Sequence, residues 1–188
     1  MKKLFTVLIL LLAGLYALQA QGRHEINLYI GGFNGEYADM ETSEEQYLGL
    51  SYLYEPQYRV TSGPSLTLDY HFALNKFVKV GAQFDYAKLS GHTYTHISGQ
   101  QKDFEQNLFY ILPQAKIRVP SPKGFRPYGK IAAGVQINSV YSEGHPVKFA
   151  WEVVPIGFEW GGQVVYGVAE CCLGSVILGG RLGIGCRF

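Results

Sequence analysis

The residues with the strongest potential for chemistry are few and scattered. The chain carries five histidines and three cysteines. His92-x-x-x-His96 has a spacing seen in metal sites, but that spacing places both rings on one face only if the segment is helical, and no third ligand accompanies it. His71 lies two residues from Asp69. On an extended strand the two share a face, so the pair could act as a base and its orienter or simply as a structural hydrogen bond. His145 and several serines sit in polar stretches, yet none falls in a nucleophile or acyl-transfer motif. Cys171, Cys172 and Cys186 have neither CxxC nor metal-type spacing. Adjacent Cys171 and Cys172 face opposite ways on a strand, so they read as small apolar residues. No catalytic residue, metal ligand or cofactor is therefore assigned.

The elements that would position these residues are strands. The tail, Val176 to Phe188, alternates Val176, Leu178, Gly180, Leu182, Ile184, Cys186 and Phe188 against Gly179, Arg181, Gly183, Gly185 and Arg187. This period of two predicts a strand with one apolar and one polar face. Seven further segments upstream repeat it: 26–33, 65–74, 77–87, 107–119, 128–141, 149–160 and 164–172. Each is about the 9 to 11 residues that a tilted strand needs to cross a bilayer. The connections alternate broadly between long polar stretches (34–64, 89–105, 142–148) and tight turns (75–76, 121–124, 161–163), with a short last link at 173–175. Pro113 and Pro155 fall inside strands and predict a local bulge at each. Weak alternation at 46–58 predicts an extension of the first hairpin above the membrane.

Composition agrees. Only 16% of residues are charged, and the chain holds 23 glycines, 14 tyrosines and 11 phenylalanines. Lys2 and Lys3, the apolar run Leu4–Leu18 and the small residue Ala20 have the form of a secretory signal peptide over 1–20. The barrel domain is then 21–188, in which fourteen basic and fifteen acidic side chains leave a net charge of −1. That balance excludes a nucleic-acid partner. The fold expected is all-β: an eight-stranded antiparallel up-and-down transmembrane β-barrel.

Alternation alone does not say which face points inward. The polar face carries Gly, Ala, Ser, Thr, Asn, Gln and Tyr with scattered charges of both signs, which suits a narrow, filled lumen. Asp69, Asp85, Glu152 and Glu170 are expected to pair there with Lys79, Lys116, Arg118, Lys130, Arg181 and Arg187, since buried charges must be paired. Glu170 is the first candidate partner for Arg181. Tyr86, Tyr94, Tyr110, Tyr128, Trp151 and Trp160 are expected in interfacial girdles.

The signal peptide, the eight strands, the tight inner turns and the apolar-alternating tail resemble the small outer-membrane proteins of the OmpA/OmpX type, as a barrel without a peptidoglycan-binding domain. The resemblance implies residence in the outer membrane of a Gram-negative cell envelope, contact with outer-membrane lipids and lipopolysaccharide, and delivery to the barrel-assembly machinery. Leu182, Ile184 and Phe188 resemble that machinery's recognition signal. It implies a porin-like architecture with a plugged lumen and a non-enzymatic role, in envelope structure or in surface contacts made by the outer loops 34–64 and 89–105 with an unidentified ligand. Small barrels of this kind also include enzymes that alter lipopolysaccharide acyl chains, which would require His92, His96 or His145 at the outer rim. A narrow channel or hydrophobic-ligand conduit is the remaining alternative.

Overall fold

The computed structural model describes residues 23–32, 57–95, 100–121, 124–138 and 147–188. Among them every regular element is a strand: β1 (His24–Gly31), β2 (Gln57–Ser62), β3 (Ser65–Ala73), β4 (Val78–Thr95), β5 (Gln100–Arg118), β6 (Phe125–Asn138), β7 (Val147–Gly161), β8 (Val165–Gly174) and β9 (Gly179–Arg187). Each sequential pair from β3 onward is antiparallel, β1 pairs with β3, and β9 returns to pair with β1. Eight strands thus close a ring, and β2 lies outside the count. All eight predicted strands are present.

The faces establish the environment. Leu182 and Ile184 on β9 are 61% and 65% exposed, and Leu28, Ile30, Leu66, Leu68, Phe84, Ile111 and Ile131 also point outward. Asp69, Lys116, Glu159 and His71, by contrast, are 0% exposed. Water would penalise both arrangements, whereas hydrocarbon around a polar lumen rewards both. A closed ring also leaves no wall strand with an unpaired edge in lipid.

The inner rim is made of short turns. Asn75 Oδ1 accepts hydrogen bonds from the backbone N–H of Phe77 and of Val78, both at 2.8 Å, which fixes the turn between β3 and β4. Gly161, with φ of 115°, closes the turn between β7 and β8 and donates to the Gly124 carbonyl at 3.1 Å, tying two turns together. A side chain there would strain the backbone.

Several sequence expectations need correction. The stretch 89–105 is not a loop: β4 runs on to Thr95 and β5 begins at Gln100, paired from Leu89↔Gln106 to Thr95↔Gln100. Within 34–64, Gln57–Ser62 is a strand that pairs with the outer part of β4. It sits end to end with β3, and the register shifts by one residue across Gly63–Pro64. Of the weakly alternating stretch 46–58, Gln57 and Tyr58 lie in this strand; residues 33–56 lie outside those described.

The two prolines behave differently. At Pro155 the register between β7 and β8 shifts, between Val153 and Ile156, as expected of a bulge. At Pro113 there is none. Pairing with β6 lapses at Leu112 and Pro113 and resumes in the same register, Ile111↔Val135 and Gln114↔Ala132. One missing donor costs the wall two rungs, with no inserted residue.

The tail also differs from the expectation. β9 starts at Gly179, and Val176 and Ile177, buried at 1% and 0%, turn into the lumen instead of continuing the strand. Phe188 keeps the parity of the outward Leu182 and Ile184 but is covered. Its ring is 6% exposed and stacks on His24 with centroids 5.7 Å apart, while the two residues exchange backbone hydrogen bonds.

Candidate functional site

Alternation delivers one side chain in two to the lumen, and the strand ends determine the depth at which each arrives. Three layers result.

The middle layer is acidic. Arg181 donates from Nη2 to Glu152 Oε1 at 2.7 Å and from Nε to Glu170 Oε2 at 2.6 Å, and its Nη1 reaches Thr67 Oγ1 at 3.3 Å. Asp85 lies 3.8 Å from the same guanidinium and accepts from the Thr67 hydroxyl and from Gln83 Nε2. Lys130 Nζ bonds Asp69 at 2.9 Å and Gln83 Oε1 at 3.1 Å, and it lies 3.3 Å from Glu170. The hydroxyls of Tyr29 and Tyr128 both donate to Glu170 Oε1. Two cations here serve four carboxylates.

The layer at the inner mouth is basic. Glu25 contacts Lys79, Lys116, Arg118 and Arg187; Glu159 contacts Lys116, Arg118, Arg126 and Arg187. Tyr166 steadies two of these guanidiniums: the Arg187 and Arg126 carbons stand 4.8 and 5.4 Å from its ring centroid. Gly185 makes room for that ring, since a Cβ there would lie 2.2 Å from Asn27 Oδ1 and 2.4 Å from a Tyr166 ring carbon.

The layer at the outer end is apolar. Leu89, Leu108, Leu112, Val154, Cys172 and Ile177 belong to one buried cluster. The last outer link supplies its lid: Ser175 is tied to the Trp151 backbone by hydrogen bonds of 2.9 and 3.1 Å through its hydroxyl, and this drops Val176 and Ile177 inward.

All ten charges expected in the lumen lie on its wall, although Asp69 partners Lys130 and not His71. His71 Nδ1 lies 3.5 Å from Asn27 Nδ2, so the base-and-orienter pair is not assembled. Tyr110 and Tyr128, at 1% and 2% exposure, stand in the lumen and not in a girdle, whereas Tyr86, Trp151 and Trp160 face outward. The three cysteines are free thiols. His96 and His145 lie outside the described residues.

Three charges escaped the sequence reading. Glu25 precedes the expected start of β1, and Arg126 precedes that of β6. Glu159 has the wrong parity relative to Glu152 and turns inward only because the bulge at Pro155 inserts a residue. A carboxylate after a strand proline was the signal that could have revealed it. Glu152, Glu170 and Cys172 form a group of potential metal ligands, but both carboxylates are already engaged by Arg181. The set suits that guanidinium better than an ion.

A closed barrel with an apolar exterior and an ionic lumen defines a transmembrane β-barrel protein. The profile of the outer membrane protein beta-barrel domain family matches residues 5–167, and the chain belongs to that family. It is an outer-membrane barrel. Among solved structures it is similar to the outer membrane protein Ail of Yersinia pestis, a backbone structure in a phospholipid bilayer nanodisc, at 16% identity and a TM-score of 0.44, covering 89% of this chain and all of that one. No curated protein matches.

Proposed function

We propose that this barrel is a non-enzymatic anchor for surface contact, and that the contact is made by the outward sheet of β2, β4 and β5. The observation that carries the reading is a difference in strand length. Among the described residues β6 pairs with β5 as far as Leu108↔Asn138, and β4 and β5 stay paired for a further eight rungs, from Lys88↔Asn107 to Thr95↔Gln100. At 3.3 Å per residue these eight rungs add roughly 26 Å of paired strand. β2 widens the hairpin to three strands. A scaffold serving only the envelope has no need of a rigid projecting sheet, while recognition elements are commonly carried on such outward segments.

The lumen supports the non-enzymatic part of the reading: its carboxylates are engaged by cations, and among the described residues His71 meets Asn27 and hydrogen-bonds no carboxylate. The signal segment 1–20, the contacts with lipopolysaccharide and the assembly role of Leu182, Ile184 and Phe188 belong to the same proposal.

The test trims the hairpin, replacing His92–Asp103 by Asn-Gly, which is suited to a two-residue hairpin turn. The full chain displayed on cells is expected to confer surface adhesion; the trimmed barrel is expected to fold in detergent, shown by a mobility change on boiling, and to confer none. Equal adhesion conferred by the trimmed chain would sink the reading. Release of acyl chains from lipopolysaccharide by the purified full-length protein would replace it with the enzymatic one.

A further inference from the structure

The two ionic layers are individually out of balance, and the imbalance has a direction. Among the described residues, Lys79, Lys116, Arg118, Arg126 and Arg187 at the inner mouth share the carboxylates of Glu25 and Glu159. Exposure is graded along the same axis. The side chains of Lys79 and Lys116 are 4% and 0% exposed, whereas Arg118, Arg126 and Arg187 are 17%, 16% and 14% exposed. Their spare donors are visible. Arg126 Nη2 and Arg187 Nη1 fall back on the carbonyls of Gly162 and Gln163 at 3.1 and 3.4 Å, and buried Arg118 Nε has no hydrogen-bond partner among the described residues. A guanidinium offers five donors in a fixed fork that matches a tetrahedral oxyanion.

We infer that the inner mouth of the barrel is an oxyanion site, in which Arg118, Arg126 and Arg187 take a phosphate group presented from the periplasmic side. The acidic middle layer sets its depth. Asp69, Asp85, Glu152 and Glu170 outnumber Lys130 and Arg181, so an anion is held at the mouth and repelled further in. The phosphate comes either free from the periplasm or on a lipid headgroup of the inner leaflet. This site lies at the opposite end from the projecting sheet and does not depend on it.

The experiment uses the folded barrel in a nonionic maltoside micelle, with inorganic phosphate titrated against chloride at matched ionic strength. Phosphate is expected to shift the Nε–Hε resonances of the three arginines saturably, and to raise the melting temperature by about 4 °C near saturation. Arg126→Gln, which leaves Glu159 with Lys116, Arg118 and Arg187, is expected to weaken phosphate binding about tenfold. Nanodiscs resolve the source. A headgroup occupant gives the shifts in phosphatidylglycerol without added phosphate and not in a phosphate-free galactolipid; a free occupant requires added phosphate in both. Phosphate effects no larger than those of chloride, with no difference between the two lipids, would overturn the inference. So would phosphate binding undiminished in Arg126→Gln and in Arg118→Gln.

Discussion

The two ends of the lumen are closed by opposite means. Towards the periplasm the filling is ionic, with Glu25 and Glu159 each contacting four cations. Towards the outside it is apolar, sealed by Val176 and Ile177 from a folded link. The ionic half is intolerant of losing a partner, because each charge left behind is buried and costly. The apolar half responds by volume, since its contacts are numerous, weak and additive. One half should therefore fail abruptly on substitution and the other gradually.

The sharpest break in that comparison is Arg181→Glu, which removes the cation shared by Glu152 and Glu170 and adds a fifth carboxylate to the layer. Loss of a buried partner costs about 3–5 kcal/mol, so the variant is expected not to fold, as read by gel mobility before and after boiling. An unchanged urea midpoint in lipid vesicles would mean that the inside and outside faces have been assigned the wrong way round. Next comes Ile177→Ala in the apolar lid, expected to cost about 2–4 kcal/mol and still fold. If it fails as completely as Arg181→Glu, the contrast between the halves is lost. Gly185→Ala crowds Asn27 and Tyr166 and is expected to cost about 1–3 kcal/mol, with Tyr166→Phe as a partner substitution that leaves the crowding in place. Ser175→Ala removes the tie between the lid and β7 and should lower stability by about 1 kcal/mol, measurable as a shifted urea midpoint. The smallest effect belongs to Lys88→Ala, whose ion pair with Glu105 at 2.9 Å stands exposed outside both halves. No change beyond the error of the melt is expected.

Much of this was legible because alternation is a strict code in a wall with unlike faces. Leu66, Leu68 and Tyr70 against Thr67, Asp69 and His71 suffice to orient β3, and Arg181 beside Glu170 could be anticipated from neighbouring strands. The code failed where its premise failed. Between Ser90 and Glu105 the residues at both parities are mostly polar, so the continuing strands carry no contrast in the sequence and read as a loop. At Pro155 an inserted residue reversed the parity and hid Glu159. Tyr110 and Tyr128 were misplaced because residue type was allowed to outweigh parity: each alternates with outward apolar residues and belongs with the lumen. The lid of Val176 and Ile177 depends on one hydroxyl tie from Ser175 to a strand 24 residues away, a tertiary contact without a local signature.

The seam between β1 and β9 has a kinetic consequence. Arg187 meets Glu25 across a sequence separation of 162 residues, and the seven rungs from Glu25↔Arg187 to Gly31↔Arg181 join the same two distant segments. Every other pairing in the wall can form as a local hairpin or between near neighbours. This one cannot form until nearly the whole chain is available, and loop closure over such a span is slow. Until then β1 presents a bare edge, one side of which already carries the apolar Ile26, Leu28 and Ile30. The time between making β1 and docking β9 is the interval in which the protein is open to misassociation and proteolysis, and a substitution that slows docking would lower its yield without altering the finished barrel.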